Sequence, residues 1–506
     1  MEIVTSSGNR VATSGILMAP RIANPDALDR AAAHLGKRGV VLPTFAELAE
    51  PATIPAALAR RLLKAKPDEP DPLNLFRIHW FNSADWSALR REPAHVELPS
   101  SLTGVDARIV VVLGDSFPMI GAHKVLAAYA CLLTRLVTGQ FDPDRNRAVW
   151  PSTGNYCRGG IAISRILGCR GVAVLPEGMS RERFAWLEEW TTDPASDIVR
   201  TPGSESNVRE IYEACDELER DPATVILNQF SEFANYLAHR RVTGPSLETL
   251  FTSLATSNRS RLAAYVVGTG SAGTLGAGDH LKQACGTRIA AIEPLECPTM
   301  LENGYGAHNI QGIGDKHIPL IQNVMNMDFV VGVSDRASDM MNVLFGSPDG
   351  KSFLAARAGL DQRTLSAFEH IGLSGLAAIQ GSIKLAKHMQ LTSDDVVICM
   401  ATDGAAMYET EARKTVDAHF GGRSGIAECA EIFGRTLAGC EPAHVLELAA
   451  TDRRRIFNLG YYTWVEQRGV SVEDFDSRRS QSFWNDIADA APAWDGLVRQ
   501  FNDRAS

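Results

Sequence analysis

Short apolar runs alternate with amphipathic stretches over most of the chain between about residues 105 and 410. Eight runs contain β-branched residues and end in turn-forming residues, which is typical of buried strands. They read RIVVVLG, AVWPSTGN, GVAVLPEG, ATVILNQF, LAAYVVGTG, RIAAIEPL, FVVGVSD and VVICMATDG. The stretches between them include RERFAWLEEW, NVREIYEACDELER and LSGLAAIQGSIKLAKHM, which are long enough to be crossover helices. The pattern predicts a three-layer α/β architecture built on parallel strands.

The two ends of the chain have a different pattern. Residues 1–100 contain Thr44 and Glu47 at the spacing of a capping box, and a charged, proline-broken run, KPDEPDP, at 66–72. They predict an N-terminal extension, mostly helical, of which a part joins the core. Residues 411–506 look helical, carry tryptophans such as Trp464 and show no further strand. We expect this C-terminal extension to cap the core or to build a dimer interface.

Composition and charge exclude several classes of protein. The chain has 506 residues, of which 45% are hydrophobic, with a formal net charge of −10 and a pI near 5.7. Lys and Arg form no basic stripe, so no nucleic-acid partner is expected. The start, MEIVTSSGNRVATSG, lacks a basic region followed by an apolar one, and no apolar run reaches the roughly 18 residues of a membrane span. We therefore expect a cytoplasmic protein with no membrane partner.

Cysteine and histidine usage points away from metals and disulfides. The nine cysteines are scattered without a Cys-x-x-Cys pair, and the twelve histidines show no metal-ligand spacing. Reduced thiols and no metal site are expected.

The stretch VVGTGSAGTLGAGDHLK at 266–282 carries the clearest chemical signal. An apolar strand leads into a loop with glycines at 268, 270, 273 and 276, and a helix follows. Such a loop lets backbone N–H groups close around a phosphate at a helix N-terminus. The spacing matches neither a Walker loop nor a clean dinucleotide fingerprint. A tight strand-to-helix turn without a ligand is therefore the alternative.

Two further stretches carry polar groups at the starts of helices. PSTGNYCRGG, at 151–160, places two hydroxyls and an amide where a strand ends and an apolar helix begins. These groups either cap the helix or bind a carboxylate. In SFPMIGAHK, at 116–124, Lys124 enters a helix beside an apolar run. A lysine at the edge of an apolar core is costly unless its amine is used.

A lysine, a hydroxyl-rich turn and a glycine cup together match the needs of pyridoxal phosphate: a Schiff base, a phosphate site and a carboxylate site. Here the sequence resembles the fold type II pyridoxal phosphate enzymes, and within them the cysteine synthase and cystathionine β-synthase branch. The motifs that carry the resemblance, in order between about 110 and 410, are PSTGN, NQF followed by TGP, GTGSAGT, AAIEP and IQGIGDKHIP. The lysine segment GAHK is similar instead to the tryptophan synthase β chain.

The resemblance implies an α/β fold of the tryptophan synthase β type, with two three-layer subdomains and the cofactor between them. We place the smaller subdomain, with the Schiff-base lysine and the asparagine loop, at 101–240. The larger, with the phosphate cup, is placed at 241–410. The extensions then occupy 1–100 and 411–506, and a homodimer is expected.

The resemblance also implies a role for each motif residue. Lys124 is the catalytic residue that forms the Schiff base, and His123 lies near the phosphate. Asn155 hydrogen-bonds the ring hydroxyl of the cofactor. The substrate carboxylate is held by Ser152, Thr153, Gly154 and Gln229. The phosphate is held by Gly268, Thr269, Gly270, Ser271, Gly273 and Thr274.

Two points stay open by comparison with the family. The partner of the pyridine nitrogen is either Thr402 or Asp403 in ATDGAAMY at 401–408, and we favour Thr402. A neutral hydroxyl there favours expulsion of a β-substituent, whereas an aspartate keeps the ring protonated and opens routes such as racemisation. The run YCRGG is interpreted as an insertion before the helix resumes, with Arg158 as a solvated loop residue. Contact of Arg158 with a second acidic group on a substrate is the alternative.

The implied activity is a lyase or transferase reaction of the cysteine synthase type. Lys124 removes the Cα proton of a β-substituted L-alanine such as O-acetylserine, serine or cysteine, and the β-substituent leaves to give an aminoacrylate. A thiol or sulfide then adds, which is β-replacement, or water releases pyruvate and ammonia, which is β-elimination. A serine/threonine dehydratase or an amino-acid racemase is the alternative within the fold. A cofactor-bearing scaffold without turnover is the alternative from another class.

Overall fold

The computed structural model describes residues 19–506. The start MEIVTSSGNRVATSG, on which the expectation of no leader segment was based, lies outside the described residues. Within residues 19–506, no helix is both long and apolar enough to cross a bilayer.

All eight strands predicted from the apolar runs are formed. Their runs are buried along most of their length, as expected for strands covered on both faces. The strands are β1 (His95–Leu98), β2 (Arg108–Leu113), β3 (Arg147–Pro151), β4 (Arg170–Pro176), β5 (Ile198–Thr201), β6 (Thr224–Ile226), β7 (Arg261–Gly268), β8 (Arg288–Pro294), β9 (Phe329–Val333), β10 (Asp395–Ala401) and β11 (Val445–Glu447).

These strands form two sheets. The smaller has the order β5-β4-β3-β6 and is parallel throughout. The larger has the order β1-β2-β10-β7-β8-β9-β11, with five central parallel strands and an antiparallel strand at each edge. Helices lie between consecutive parallel strands, which is how such strands are connected.

Three strands and one assignment differ from the sequence interpretation. Strands β1, β5 and β11 are only three or four residues long, too short for a periodic signal to mark them. β11 lies within 411–506, where no strand was expected, and pairs with β9. β2 lies within 101–240 but pairs with β10, so it belongs to the larger sheet.

The helices between the strands include the three amphipathic stretches singled out in the sequence, now α7, α9 and α17. The helices are α1 (Pro25–Lys37), α2 (Phe45–Ala49), α3 (Ala56–Leu62), α4 (Ser100–Thr103), α5 (Lys124–Val137), α6 (Asn155–Leu167), α7 (Arg181–Trp190), α8 (Pro194–Asp197), α9 (Val208–Glu219), α10 (Phe233–Ala238), α11 (Gly244–Leu254), α12 (Leu275–Cys285), α13 (Thr299–Glu302), α14 (Asp335–Gly346), α15 (Pro348–Ala358), α16 (Gln362–Ala367), α17 (Leu373–His388), α18 (Glu409–Phe420), α19 (Ile426–Phe433), α20 (Ala450–Tyr461), α21 (Val472–Ser477), α22 (Gln481–Asp489) and α23 (Ala491–Ala505).

The two terminal extensions are joined to each other. The capping box of Thr44 and Glu47 begins α2 as predicted. Asp495 of α23 accepts the next two backbone N–H groups of that helix, from Phe45 at 2.7 Å and Ala46 at 3.2 Å. A buried carboxylate at a helix N-terminus satisfies donors that the helix itself cannot. Helix α23 thus fixes the N-terminus of α2.

The C-terminal extension also packs on the core, which was one of its two predicted roles. The indole N–H of Trp464 donates to the carbonyl of Ile318 at 2.7 Å. The buried guanidinium of Arg478 donates to the carbonyl of Leu320 at 2.6 Å. The first bond fixes the end of the motif IQGIGDKHIP, and the second fixes the residue directly after it.

Candidate active site

The predicted chemical motifs follow the carboxyl ends of strands in both sheets. PSTGN follows β3 of the smaller sheet, the glycine loop follows β7, and ATDG follows β10 of the larger sheet. Loops at the carboxyl ends of parallel strands are where open α/β folds bind ligands. The site therefore lies between the two subdomains.

Lys124 begins α5, an almost wholly buried helix. Its Nζ donates a hydrogen bond to the hydroxyl of Ser271 in the glycine loop at 3.0 Å. Burial lowers the pKa of Lys124 to about 8, although the nearby carboxyl groups of Asp315 and Glu205 oppose the shift. An amine with a pKa near 8 is neutral in a useful fraction of molecules near physiological pH, so it can act as a nucleophile or base.

His123 packs beside the lysine in an aromatic cluster. Its ring stacks on Trp80 with centroids 5.6 Å apart and meets His239 edge-on at 5.4 Å. Both ring nitrogens are buried and have no partner among the described residues. Burial, with the charge of Lys124, lowers the pKa of His123 to about 3, so the ring is neutral. A neutral imidazole ring with unpartnered nitrogens can donate a hydrogen bond to a bound group or accept one from it.

The glycine loop forms a cup of backbone donors. In the described part of the chain, the N–H groups from Gly270 to Thr274 have no protein acceptor, and α12 begins directly after them. A row of free N–H groups at the N-terminus of a helix is suited to an anion. Ala272 adopts a positive φ of 64°, which turns the backbone into this shape.

Two glycines keep the cup open. A Cβ on Gly270 would lie 2.7 Å from the carbonyl oxygen of Gly312. A Cβ on Gly273 would collide with the side-chain oxygen of Asn235. The amide of Asn235 donates to Ser271 Oγ at 3.1 Å and to the carbonyl of Gln229 at 3.1 Å. Asn235 therefore brings the predicted substrate residue Gln229 against the cup.

The hydroxyl-rich turn has a backbone that only glycine adopts readily. Gly154 has φ 146° and ψ −81°, and a Cβ there would lie 2.6 Å from the Arg183 side chain. The Ser152 hydroxyl accepts the N–H of Gly154 at 3.0 Å. Ser152, Thr153 and Asn155 are all buried around this turn. The turn is held by its own hydrogen bonds and not by the side chain of a helix-capping residue.

Asn155 joins the turn to the end of β10. Its amide donates to Asp403 Oδ2 at 2.7 Å, and the Tyr408 hydroxyl donates to the same oxygen at 2.8 Å. The Arg183 guanidinium lies 3.4 Å from that oxygen and donates to the Tyr408 hydroxyl at 2.7 Å. Asp403 Oδ1 is buried and has no partner among residues 19–506. A buried carboxylate with one oxygen fully bonded leaves the other for a bound donor.

Thr402 has a different place from Asp403. Its carbonyl accepts the backbone N–H of His123 at 3.3 Å, and its side chain is half-buried. Asp403 and Ala122 pair as an isolated antiparallel bridge. The lysine segment and the end of β10 are thus held together by backbone contacts.

The interpretation of YCRGG as an inserted loop is wrong. α6 begins at Asn155, so these residues form its first turns, and Arg158 is buried instead of solvated. Its guanidinium donates to Asn155 Oδ1 and to the carbonyl of Ile120, both at 2.9 Å. Apolar residues and two glycines allow this turn to pack closely, since a Cβ on Gly160 would collide with Trp150. Arg158 therefore orients the Asn155 amide.

Four residues of the site were not identified from the sequence: Arg183, Glu205, Asp315 and Tyr408. Asp315 and Tyr408 stand inside the motifs IQGIGDKHIP and ATDGAAMY, so their positions carried a signal. Arg183 lies in an amphipathic helix and Glu205 in a loop, where the local pattern gives no indication of burial. Both reach the site only through tertiary folding.

The residues present fit pyridoxal phosphate. The N–H cup suits its phosphate, and the Lys124 amine lies beside the cup, within reach of an attached aldehyde. The unpartnered Asp403 Oδ1 and the neighbouring Asn155 amide suit a ring nitrogen and a ring hydroxyl. Each group of the cofactor thus has a chemically matching group in this site.

The chain was compared with known families and curated proteins. The model of the family described as pyridoxal-phosphate dependent enzyme matches residues 91–403. A probable cysteine synthase of Bacillus subtilis is 28% identical over 296 residues, which cover 58% of this chain and 86% of that protein. The cystathionine beta-synthase of Saccharomyces cerevisiae is 28% identical over 326 residues, 62% of this chain and 59% of that protein.

Solved structures show the same fold. A hydrogen sulfide-producing enzyme from Fusobacterium nucleatum matches with a TM-score of 0.51 at 20% identity, covering 62% of this chain and 96% of that one. The O-acetylserine dependent cystathionine beta-synthase from Helicobacter pylori matches with a TM-score of 0.51 at 21% identity, covering 63% of this chain and 94% of that one. At these identities the likeness establishes the fold alone.

Proposed function

Because the chain belongs to the family of pyridoxal-phosphate dependent enzymes, we propose that it catalyses β-replacement or β-elimination on a β-substituted L-alanine. The fold type II assignment, the cysteine synthase and cystathionine β-synthase branch and the cofactor, all predicted from the motifs, are confirmed. Bound pyridoxal phosphate supplies an electron sink that makes the Cα–H of an amino acid acidic. The side chains of the site then determine which reaction the substrate undergoes.

Lys124 is proposed to hold the cofactor covalently and to move the Cα proton. The hydrogen bond from its Nζ to Ser271 Oγ is the observation that carries the proposal, because it places the amine at the rim of the N–H cup. The pKa of about 8, lowered by burial, allows the same amine to accept a proton from carbon and return it. His123, neutral and buried, is proposed to lie near the phosphate.

The cup and the hydroxyl-rich turn are proposed to bind different groups, the phosphate of the cofactor and the carboxylate of the substrate. The free N–H groups of Gly270 to Thr274 hold the phosphate, supported by Gly268 and Thr269. The side chains of Ser152 and Thr153, together with Gly154 and Gln229, hold the α-carboxylate of the substrate. Asn155, oriented by Arg158, bonds the ring hydroxyl.

We propose that Asp403 is the partner of the pyridine nitrogen, whereas the sequence favoured Thr402 for this role. Asp403 lies beside Asn155 with one oxygen unpartnered, whereas Thr402 contacts the lysine segment through its backbone. Arg183, buried and 3.4 Å away, stabilises the charge of the Asp403 carboxylate. A carboxylate at this position favours a protonated ring nitrogen and a stronger electron sink than a hydroxyl would give.

A donor panel tests the proposed function. The cofactor-loaded protein is mixed with O-acetylserine, serine, cysteine or threonine, with and without sulfide, while the visible absorption band of the cofactor is recorded and the products are quantified. At least one β-substituted alanine is expected to shift the band and to yield pyruvate or a replacement product. Lys124→Ala is expected to abolish both. A protein that binds the cofactor but turns over no donor would contradict the proposal.

We further propose that the enzyme works in the cytoplasm as a homodimer, as its resemblance to the family implies. The substrates are then a small amino acid and, for replacement, a thiol or sulfide. Light scattering of the purified protein gives the oligomeric state directly, and a monomer that turns over donors would exclude the dimer as a requirement.

A further inference from the structure

Two buried carboxyl groups interact electrostatically with Lys124. Glu205 is 1% exposed and Asp315 is 7% exposed. The positive charge of the Lys124 amine is attracted by both of them. Neither group was needed to account for binding of the cofactor or of the α-carboxylate, so each is available for another task.

The two groups come from opposite subdomains. Glu205 follows β5 of the smaller sheet, and its Oε1 accepts the backbone N–H of Gly312 at 2.8 Å. Gly312 belongs to the loop that carries Asp315. The next glycine of that loop, Gly314, donates its N–H to the carbonyl of Thr269 in the cup at 2.8 Å. The pair is therefore attached to the same framework as the cup and the lysine.

Each carboxyl group has an oxygen without a partner. Glu205 Oε2 and Asp315 Oδ2 are both buried, and neither has a hydrogen-bond partner in the described residues. A buried carboxylate is costly when its oxygens are unpaired, and two such groups close together do not ionise independently. At least one proton is thus expected to be retained on the pair.

The electrostatics agree with a retained proton. Burial raises the pKa of Glu205 to about 7. The positive charge of Arg183 and the side-chain hydroxyl of Thr153 both act to lower this pKa, but burial outweighs them. Burial, reinforced by the charge of Glu205, raises the pKa of Asp315 well above its ordinary value, and Lys124 opposes this. Since Thr153 belongs to the proposed carboxylate turn, the pair also lies beside the substrate.

We propose that Asp315, with Glu205 as its partner, donates a proton to the group that leaves Cβ, and that the donor substrate carries a hydroxyl or thiol there. This inference rests on the proposed β-chemistry and names its donor class. Hydroxide is a strongly basic leaving group, and hydrosulfide is more basic than acetate, so both depart faster when a proton is supplied, whereas the acetate of an acyl ester needs none. A protonated carboxyl group beside Cβ is useful only for the first kind.

The proposed step balances as follows. Lys124 takes the Cα proton, and the electron pair of the Cα–H bond forms a Cα=Cβ double bond. The Cβ–O or Cβ–S bond breaks at the same carbon, and its electron pair stays on the oxygen or sulfur. The Asp315 proton joins that atom, so water or hydrogen sulfide leaves and Asp315 becomes a carboxylate. For elimination, one water is then consumed to give pyruvate and ammonium. Asp315 regains its proton from the Lys124 ammonium, which restores both groups.

Substitution of Asp315 or Glu205 tests the proposed proton donation, because its effect should depend on the donor substrate. Asp315→Asn is expected to lower kcat/KM for serine and cysteine by about 100-fold or more, and for O-acetylserine by less than about 10-fold, because general acid catalysis contributes on the order of 10²–10⁴-fold. Glu205→Gln is expected to show the same selectivity with smaller losses. Asp339→Asn is the matched control, since burial also raises the pKa of Asp339 to about 6 but no interaction couples it to Lys124. Equal losses for all three donors in Asp315→Asn would overturn the assignment.

Infrared spectroscopy of the cofactor-free protein gives a second readout that does not depend on turnover. The carbonyl stretch of a protonated carboxyl group is expected near neutral pH in the native chain, and the difference spectrum against Asp315→Asn is expected to show its loss. An absent difference would mean that Asp315 is ionised, and the proposal would fail even if donors are turned over. If the native protein turns over no donor while the infrared difference is present, the proposed β-chemistry is wrong, and with it the proton transfer to a leaving group. The protonated state of Asp315 would still be established.

Discussion

The side-chain amide of Asn155 donates a hydrogen bond of 2.7 Å to the carboxylate of Asp403, although the two residues are 248 positions apart in the chain. Asn155 follows a strand of the smaller sheet and Asp403 follows a strand of the larger one. The bond therefore crosses the boundary between the subdomains at the place where the cofactor ring is proposed to lie. It connects the groups assigned to the ring hydroxyl and the ring nitrogen.

The first prediction separates Asp403 from Thr402. Asp403→Asn removes the charge beside the ring nitrogen, so we expect an altered absorption band of the bound cofactor and a fall in kcat/KM of about 100-fold or more, since pairing with a buried charge is worth several kcal/mol. Thr402→Val is expected to change kcat/KM by less than about 3-fold, because the Thr402 contact with His123 uses the backbone. A larger effect at Thr402 would return the role to that residue.

Loss of the Asp403 charge also leaves Arg183 buried without its counter-ion, which destabilises the fold. Tyr408→Phe is the control, because it removes a hydrogen bond to the same carboxylate oxygen and keeps the charge. Thermal unfolding of each cofactor-free variant is measured alongside the spectra. An unchanged spectrum in Tyr408→Phe with a changed one in Asp403→Asn would attribute the effect to charge.

The sequence was sufficient for the elements with a long, regular pattern. All eight predicted strands and the amphipathic helices such as α7 are formed, because a buried parallel strand needs a continuous apolar run and a crossover helix needs one apolar face. The short edge strand β11 has too few residues for such a pattern. The capping box at Thr44 was readable because both of its partners are local in sequence.

The site was predictable only where its chemistry lies within a motif. Lys124 and the glycine loop were found because one short stretch holds the groups that act together. Arg183 and Glu205 were missed because they reach the site through packing of distant elements, and a charged residue in an amphipathic helix or a loop is normally solvated. Arg158 was misjudged for the same reason, since its burial depends on the packing of α6.

The second prediction concerns the cup. Gly270→Ala places a Cβ 2.7 Å from the carbonyl oxygen of Gly312, so the loop has to open and its N–H groups no longer converge. We expect the Kd for pyridoxal phosphate, measured by fluorescence titration, to rise by at least about 10-fold, equivalent to about 1.4 kcal/mol. Gly346→Ala, at a helical glycine with nothing within 4 Å of the added atom, is expected to leave it unchanged. Unaltered cofactor affinity in Gly270→Ala would argue against the cup as the phosphate site.

The third prediction is a pH dependence of the Lys124 amine. Because burial lowers its pKa to about 8, the neutral form increases as pH rises through 8 and is nearly complete two units higher. Cofactor-free protein is labelled with an acylating reagent over a range of pH, and the labelled lysines are quantified by mass spectrometry. Labelling of Lys124 is expected to reach half its maximum near pH 8. Lys66 serves as an internal reference, since its hydrogen bond to Glu69 raises the pKa of that exposed amine. A shared midpoint for Lys124 and Lys66 would refute the shift.

The last prediction concerns the C-terminal extension and its effect on the site. Trp464→Phe keeps an aromatic ring but deletes the N–H that donates to the carbonyl of Ile318 at 2.7 Å. The lost hydrogen bond leaves a buried acceptor unpaired, so the free energy of unfolding should fall by about 1–3 kcal/mol in denaturant titrations. Ile318 is three residues beyond Asp315, so the loop that positions the proposed proton donor also loses a restraint.

That loop connection makes the effect on turnover selective. In Trp464→Phe, we expect kcat/KM for serine and cysteine to fall several-fold more than for O-acetylserine, because only the first two need an aligned proton from Asp315. Tyr462→Phe, at a residue 64% exposed, should alter neither stability nor selectivity. If Trp464→Phe lowered stability while all donors kept their relative rates, the extension would support the fold without tuning the loop. A selective loss would instead make residues far outside the matched family region part of the control of donor choice, through the contact of Trp464 with the loop at Ile318.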